Sequence, residues 1–203
     1  MNLTKLFEMQ KVLDERIMDE HPELRGQDNL DWKTLALQVE LGECANEWRG
    51  FKKWSHDQEP RTAVICESCR GSGGYYNTFK NMKEKKNKVI CKQCNGWGVV
   101  KGANPLLEEY VDCLHFILSI GVECKWNGVE FEKTLVSGSI TTQFHHLFKA
   151  ISDFQQLNNY LNYKWIWGIF NGLGQMLGFT WEQIEESYMA KNKINHLRQE
   201  NGY

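Results

Sequence analysis

The chain has 203 residues, of which 41% are hydrophobic and 25% charged, with a formal net charge of −2. Those proportions suit one sizeable core plus a small accessory module. They exclude a wholly disordered chain, a chain polybasic throughout and several full domains.

Three prolines in the whole chain, and no alternating strand pattern over most of it, point to an α-helical body. Leu3, Leu6, Phe7, Leu13, Ile17 and Met18 lie close to a helical stripe and predict a first helix over 2–20. This stretch is charged throughout and lacks the apolar segment of a secretion signal, so a cytoplasmic protein is expected. A polar loop over 21–29 follows. A second helix is expected over 31–54, with Trp32, Leu35, Ala36, Val39 and Ala45 among its apolar positions. After a change of composition over 61–102, a third helix starts at Asn104-Pro105, where Asn caps and Pro suits the first turn, and runs to about 122. Helices over 141–157 and 160–177 come next. The last opens on Thr180-Trp-Glu-Gln183, a capping-box pattern, and runs to about 200. The uncharged run 165–181 holds four glycines, Asn171 and Gln175, so a buried helix and turn is expected there rather than a membrane span.

Segment 61–102 carries nine Lys/Arg against two acids, a charge of +7, which leaves −9 for the rest of the chain. This contrast marks a domain boundary: a body formed by 1–60 and 103–203, and an insertion at 61–102. The insertion contains Cys66-Glu-Ser-Cys69-Arg-Gly-Ser-Gly and Cys91-Lys-Gln-Cys94-Asn-Gly-Trp-Gly, two copies of C-x-x-C-x-G-x-G. Each knuckle places two sulfurs on one side, and the glycines let backbone amides approach the thiolates. Two knuckles complete a closed tetrahedral S₄ site, the structural form of zinc coordination, so one structural Zn²⁺ is expected on Cys66, Cys69, Cys91 and Cys94. The other three cysteines, Cys44, Cys113 and Cys124, sit singly on helical patterns. An odd count of seven without a secretion signal does not suit a disulfide framework. The doubled motif resembles the cysteine-rich zinc domain of J-domain co-chaperones. That resemblance implies a zinc-bearing β-hairpin and not chaperone activity, because no HPD tripeptide occurs. The lysine-rich stretch Lys80–Lys88 is either a solvated hairpin tip or a contact for nucleic acid or another acidic partner.

In the body, Glu40 and Glu43 are three apart on the second helix, and Glu109 and Asp112 three apart on the third. Residues at i and i+3 share a face, so two antiparallel helices can aim four carboxylates at one point. Ligands made only of oxygen suit Mg²⁺, and two such ions can hold a phosphate and activate a water. The bland alternative is a pair of solvated acidic faces. Near the C-terminus, Lys191, Asn195 and Arg198 fall at i, i+4 and i+7, a stripe of phosphate donors on one helix face or simply solvated cations.

Four stretches together resemble the dimeric dUTPases, which belong to the all-α, MazG-like nucleoside triphosphate pyrophosphatases. They are Glu40-Leu-Gly-Glu43-Cys-Ala-Asn-Glu47, Phe51-Lys-Lys-Trp54, Glu109-Tyr-Val-Asp112-Cys-Leu-His115-Phe116 and the run from Lys191 to Tyr203. The resemblance implies an all-α, MazG-like helical bundle carrying a small zinc-binding β-hairpin. It implies a homodimer without a membrane anchor, and hydrolysis of dUTP to dUMP and pyrophosphate. Two or more Mg²⁺ would be held by Glu40, Glu43, Glu109 and Asp112, with Glu40 or Glu43 orienting or deprotonating the attacking water. Lys191, Asn195, Arg198 and Tyr203 would grip the phosphates, and Gln10 would read the uracil edge. Trp54 and His115 would be base-pocket residues or core. Asp14 stands where relatives can have Asn, and many relatives are phage-encoded. The chain departs from the superfamily pattern in that 65 residues separate Glu43 from Glu109, an excess that the insertion accounts for. Alternatives left open are a pyrophosphatase for dCTP or another nucleotide, and a non-enzymatic zinc protein that binds nucleic acid.

Overall fold

The computed structural model describes residues 3–76, 88–126 and 134–202. Among them are six helices: α1 (Leu3–Glu20), α2 (Leu30–Trp48), α3 (Pro105–Glu123), α4 (Ile140–Gln156), α5 (Tyr160–Met176) and α6 (Trp181–Glu200). Two short antiparallel strands, β1 (Gly74–Tyr76) and β2 (Lys88–Ile90), pair with Gly74 opposite Ile90. The fold is all-α with a small hairpin, as expected. None of the described helices is long and apolar enough to cross a membrane.

Helix α3 is the hub. It packs against α1, α2, α5 and α6, which requires apolar residues around most of its circumference. Its buried set includes Leu106, Tyr110, Val111, Cys113, Leu114, Ile117, Leu118 and Ile120. The helix starts where Asn104 accepts the amide of Leu107, with Pro105 in the first turn. Both halves of the capping box form at α6: the Gln183 amide donates to Thr180 Oγ1, and Thr180 N–H donates to Gln183 Oε1.

Helix α2 departs from expectation in two ways. It ends at Trp48 rather than 54, because Arg49 turns left-handed at φ 63° and its N–H closes onto Ala45 O. The chain from Gly50 to Trp54 is a series of turns. Three of the five apolar positions read from the sequence are exposed, Trp32 at 38%, Leu35 at 61% and Val39 at 50%, while Ala45 packs on the core. The buried face carries Lys33, Thr34, Leu37, Leu41 and Cys44 instead. Both stripes have helical spacing, and packing against α3 selects between them.

The insertion folds around its cysteines. Cys66 N–H donates to Gly98 O at 2.9 Å, and Cys91 N–H donates to Gly73 O at 3.0 Å, so each knuckle is tied to the other by the same bond. The knuckles interlock without room for a side chain. A Cβ on Gly73 would lie 2.2 Å from Gly96 O, and one on Gly98 would lie 2.3 Å from Gly71 O; both residues also have positive φ. The stretch Lys80–Lys86 lies outside the described residues.

Gly98→Ala is expected to push the knuckles apart. The check is alkylation of Cys66, Cys69, Cys91 and Cys94 followed by mass spectrometry: the variant should label quickly, and the unaltered chain slowly.

Candidate functional site

The acidic residues meet because α2 and α3 pack side by side. Glu40 and Glu43 from α2 and Glu109 from α3 each place one carboxylate oxygen within 4.8 Å of the others. Glu40 and Glu109 are half-buried. Burial pushes the Glu40 carboxyl up to about 7, with the charges of Asp112 and Glu43 adding to the effect. Burial likewise raises Glu109 to about 7, with Asp112, Glu43 and Glu40 adding. Carboxylates that repel one another in a partly dry site form a hard, all-oxygen donor set. A divalent cation such as Mg²⁺ fits it, since its charge would relieve the repulsion.

Asp112 is not one of that group of three. It lies one turn along α3, where its Oδ2 takes Lys191 Nζ at 2.5 Å, and Lys191 also reaches Glu108 Oε1 at 3.0 Å. Burial disfavours the ammonium of Lys191, but the bonds to Asp112 and Glu108 outweigh it and hold Lys191 above its ordinary range. Lys191 therefore sits buried in ion pairs. Asn195 and Arg198, one and two turns further along α6, are more accessible, and Arg198 Nη1 donates to Asn195 Oδ1 at 3.3 Å.

Beside these groups lies a cavity of about 300 Å³ between α1, α2, α3 and α6. Glu40 and Asp112 belong to its wall together with Lys191, Asn195 and Arg198, so the acidic cluster and the basic stripe border one space. Gln10 and Asp14 of α1, His115, Phe116 and Ser119 of α3, and Gln199 of α6 line it as well. Four of these residues join Tyr188 in a buried network. Gln10 Nε2 donates to Asp14 Oδ1 at 2.7 Å, and Ser119 Oγ donates to Asp14 Oδ2 at 2.8 Å. On its other side, Gln10 Oε1 lies 2.8 Å from His115 Nδ1 and accepts the Tyr188 hydroxyl at 2.9 Å. The His115 ring stacks on Tyr188 with centroids 4.2 Å apart. Burial, assisted by the nearby Lys191 cation, pushes His115 down to about 3, so the ring is neutral at physiological pH. Its Nε2 is buried without a hydrogen-bond partner among the described residues, and so is Gln199 Oε1.

Of the residues expected to face a base, Gln10 and His115 thus lie together on the cavity wall. Trp54 does not: it is 78% exposed on the turns after α2, edge-on to Phe51 at 5.8 Å. Tyr203 lies outside the described residues. Lys33, Ser119, Tyr188 and Gln199 were not singled out from the sequence. The signal was present for two of them. Ser119 continues the Asp112–His115 face of α3 by one turn, and Tyr188 precedes Lys191 and Asn195 on one stripe of α6.

Next to β1 and β2, Cys66, Cys69, Cys91 and Cys94 are all buried, with their sulfurs within 4.8 Å of one another. Cys66 and Cys91 Sγ are 3.9 Å apart, and Cys69 and Cys94 Sγ 3.6 Å. Zn–S bonds of about 2.3 Å in a regular tetrahedron set sulfurs roughly 3.8 Å apart, so the spacing suits a metal of that size. Gly98 N–H points at Cys94 Sγ at 3.2 Å, as a thiolate acceptor requires.

The fold and site define a helical bundle with an all-oxygen acidic centre bordering a ligand-sized cavity. The family model described as dUTPase matches residues 2–71 and 97–203, and the chain belongs to that family. The unmatched stretch between those blocks falls inside the zinc-type hairpin. No curated protein matched the chain.

The depressed value at His115 has a consequence for stability. Below its unfolded value of about 6.5, the unfolded chain takes up a proton that the folded protein refuses. The contribution is fully present above that pH and is lost as pH falls, by up to about 1.4 kcal/mol per unit. The stability difference between the unaltered chain and His115→Asn should change by this slope in urea titrations between roughly pH 6.5 and 4.5, since the raised carboxyls of Glu40 and Glu109 add the opposite slope to both chains.

Proposed function

We propose that the protein hydrolyses dUTP to dUMP and pyrophosphate. The observation that carries this reading is the cluster of Glu40, Glu43 and Glu109, which reaches through Glu40 a cavity that also presents Asn195 and Arg198. Membership of the dUTPase family supplies the substrate class. Glu40, Glu43, Glu109 and Asp112 are the residues that would hold Mg²⁺, two ions or more. When bound there, Mg²⁺ would neutralise triphosphate charge and lower the pKa of a water.

The chain's own groups then have distinct tasks. Glu40 lines the cavity, whereas Glu43 is exposed, so Glu40 is the better placed of the two to take a proton from the attacking water. The water oxygen bonds to the α-phosphorus, the α–β bridging bond breaks, and pyrophosphate leaves. Asn195 and Arg198 grip the phosphates, and Arg198 supplies a planar fork of donors suited to them. Lys191 adds positive charge at the same wall while its pair with Asp112 fixes that carboxylate's orientation. Positioning and charge neutralisation account for the rate, with no covalent intermediate. Gln10 and His115 form the base end of the cavity.

Two further assignments accompany this reading. The four-cysteine cluster holds one structural Zn²⁺, supported by the sulfur spacings of 3.6 and 3.9 Å. The active form is a homodimer, supported by Leu35 and Val39, which are 61% and 50% exposed on α2 and which a second copy would cover.

Pyrophosphate release should be fastest with dUTP among the deoxynucleoside triphosphates, should require Mg²⁺ and should stop with EDTA. Glu43→Gln and Asp112→Asn are each expected to lower kcat by at least about 10²-fold while leaving the helical circular dichroism unchanged. Activity retained in both variants would remove the proposed site. Light scattering should give twice the chain mass, and Leu35→Glu with Val39→Glu should return a single chain.

A further inference from the structure

We propose that the second cysteine knuckle is a docking surface for single-stranded nucleic acid, with Trp97 as the platform on which a base stacks and Lys92 and Lys101 as contacts to the phosphates. None of these three residues lines the cavity. The proposal therefore goes beyond the hydrolase reading and does not rest on it.

The two knuckles form an internal pair, so each residue of one has a counterpart 25 positions along in the other. Beyond the matched bonds from Cys66 and Cys91, Ser72 N–H donates to Cys69 O at 3.1 Å and Trp97 N–H to Cys94 O at 3.0 Å. A Cβ on Gly71 would meet Ile65 Cγ2 at 3.4 Å, and one on Gly96 would meet Ile90 Cγ2 at 3.3 Å. With the backbone bonded alike in both halves, a side chain that differs between matched positions is not demanded by the fold of the module.

The differences gather on one half. Position 72 is Ser, whose Oγ lies 2.7 Å from Cys69 O and 2.6 Å from Gly74 O. Its counterpart is Trp97, whose side chain stands 74% exposed. An indole left in water forgoes a large apolar burial, and the first knuckle folds with a serine in its place. Charge follows the same division. Residues 64–76 hold one acid, Glu67, and one base, Arg70, whereas 89–101 hold Lys92 and Lys101 and no acid. Lys92 stands where the first half has Glu67, and both lysines are exposed.

Single-stranded nucleic acid meets both features. Every base offers a flat face to an indole, and each nucleotide brings a phosphate charge. A polyanion without bases would satisfy the lysines and leave the indole in water. A duplex would do the same, because its base faces are already stacked on one another. Net charge confines the contact to the insertion. Segment 61–102 is +7, or about +5 once Zn²⁺ and four thiolates are counted, while the rest of the chain is −9 and repels a phosphate chain.

The test uses the full zinc-loaded chain and a fluorescein-labelled oligothymidylate of 20 nucleotides, read by fluorescence anisotropy. A 20-base-pair duplex and polyglutamate serve as competitors. Saturable binding is expected at 50 mM salt, weaker by roughly 7-fold at 200 mM for two phosphate contacts. Trp97→Ser should lower affinity by about 10-fold, and Trp97→Phe should restore part of the loss. Lys92→Glu with Lys101→Glu should weaken binding and flatten its salt dependence. Slow alkylation of the four cysteines checks that each variant keeps its knuckles. No binding at 50 mM salt overturns the proposal. So does a Trp97→Ser chain with protected cysteines that binds as tightly as the unaltered chain, or a duplex or polyglutamate that displaces the strand at equal phosphate or carboxylate concentration. Loss of a dimer mass in Trp97→Ser, without strand binding in the unaltered chain, would make a second copy the occupant and overturn it as well. Nucleotide cleavage is not part of the readout, so failure of the hydrolase reading leaves this surface standing.

Discussion

Apolar packing of α2 on α3 holds like charges together, and the remainder of the site depends on that contact. Leu37, Leu41 and Cys44 on one helix share a core with Tyr110, Cys113 and Leu114 on the other. Full burial of one leucine contributes about 1.5–3 kcal/mol. Two carboxylates about 5 Å apart oppose it by roughly 3 kcal/mol at an effective dielectric of about 20, and by less where solvent reaches them, as it does at Glu43. Several buried side chains therefore outweigh one repelling pair. Burial first, and this repulsion after it, lift the carboxyls of Glu40 and Glu109 to about 7. A divalent cation between these oxygens would relieve the repulsion.

The same hub helix joins two kinds of polar chemistry. On one stretch of α3, Glu109 and Asp112 face other charges; a turn or two further, His115 and Ser119 face neutral or hydrogen-bonded groups from α1 and α6. Hydrogen bonds in the first region are set by charge and would change with a bound ion. In the second, Gln10 bridges Asp14 on one side and His115 and Tyr188 on the other. A triphosphate and a base make correspondingly different demands, and one cavity borders both regions.

The ends of the cysteine-bearing segment lie close together. Arg61 N–H donates to Glu47 O and Leu106 N–H donates to Arg61 O, both at 3.0 Å, so the chain leaves α2 and enters α3 through one junction. Val100 N–H closes onto Val64 O at 2.8 Å, which brings the two ends of the module together. A segment whose ends meet in this way spans the gap between two helices at little closure cost. The Arg61 guanidinium reaches Glu47 Oε1 at 3.2 Å, one turn beyond Glu43, and ties the module to the acidic face of α2.

Much of this was legible from the residues alone. Doubled C-x-x-C-x-G-x-G motifs specify the sulfur cluster because the ligands and the glycines they need are local. Helix starts at Asn104 and Thr180 are local as well, since a cap acts within four residues. The pairing of Glu40 and Glu43 with Glu109 follows from i, i+3 spacing once two helices are neighbours. What tertiary structure decided is which face of α2 turns inward, because Trp32, Leu35 and Val39 and the buried Leu37, Leu41 and Cys44 have equally helical spacing. It also decided that Lys191 is held in ion pairs with Asp112 and Glu108, that Trp54 stands away from the cavity, and that Asp14 and Tyr188 meet on Gln10 while Ser119 binds Asp14. Those outcomes rest on contacts between residues up to 178 positions apart, as in the Gln10–Tyr188 bond, and no local pattern encodes them.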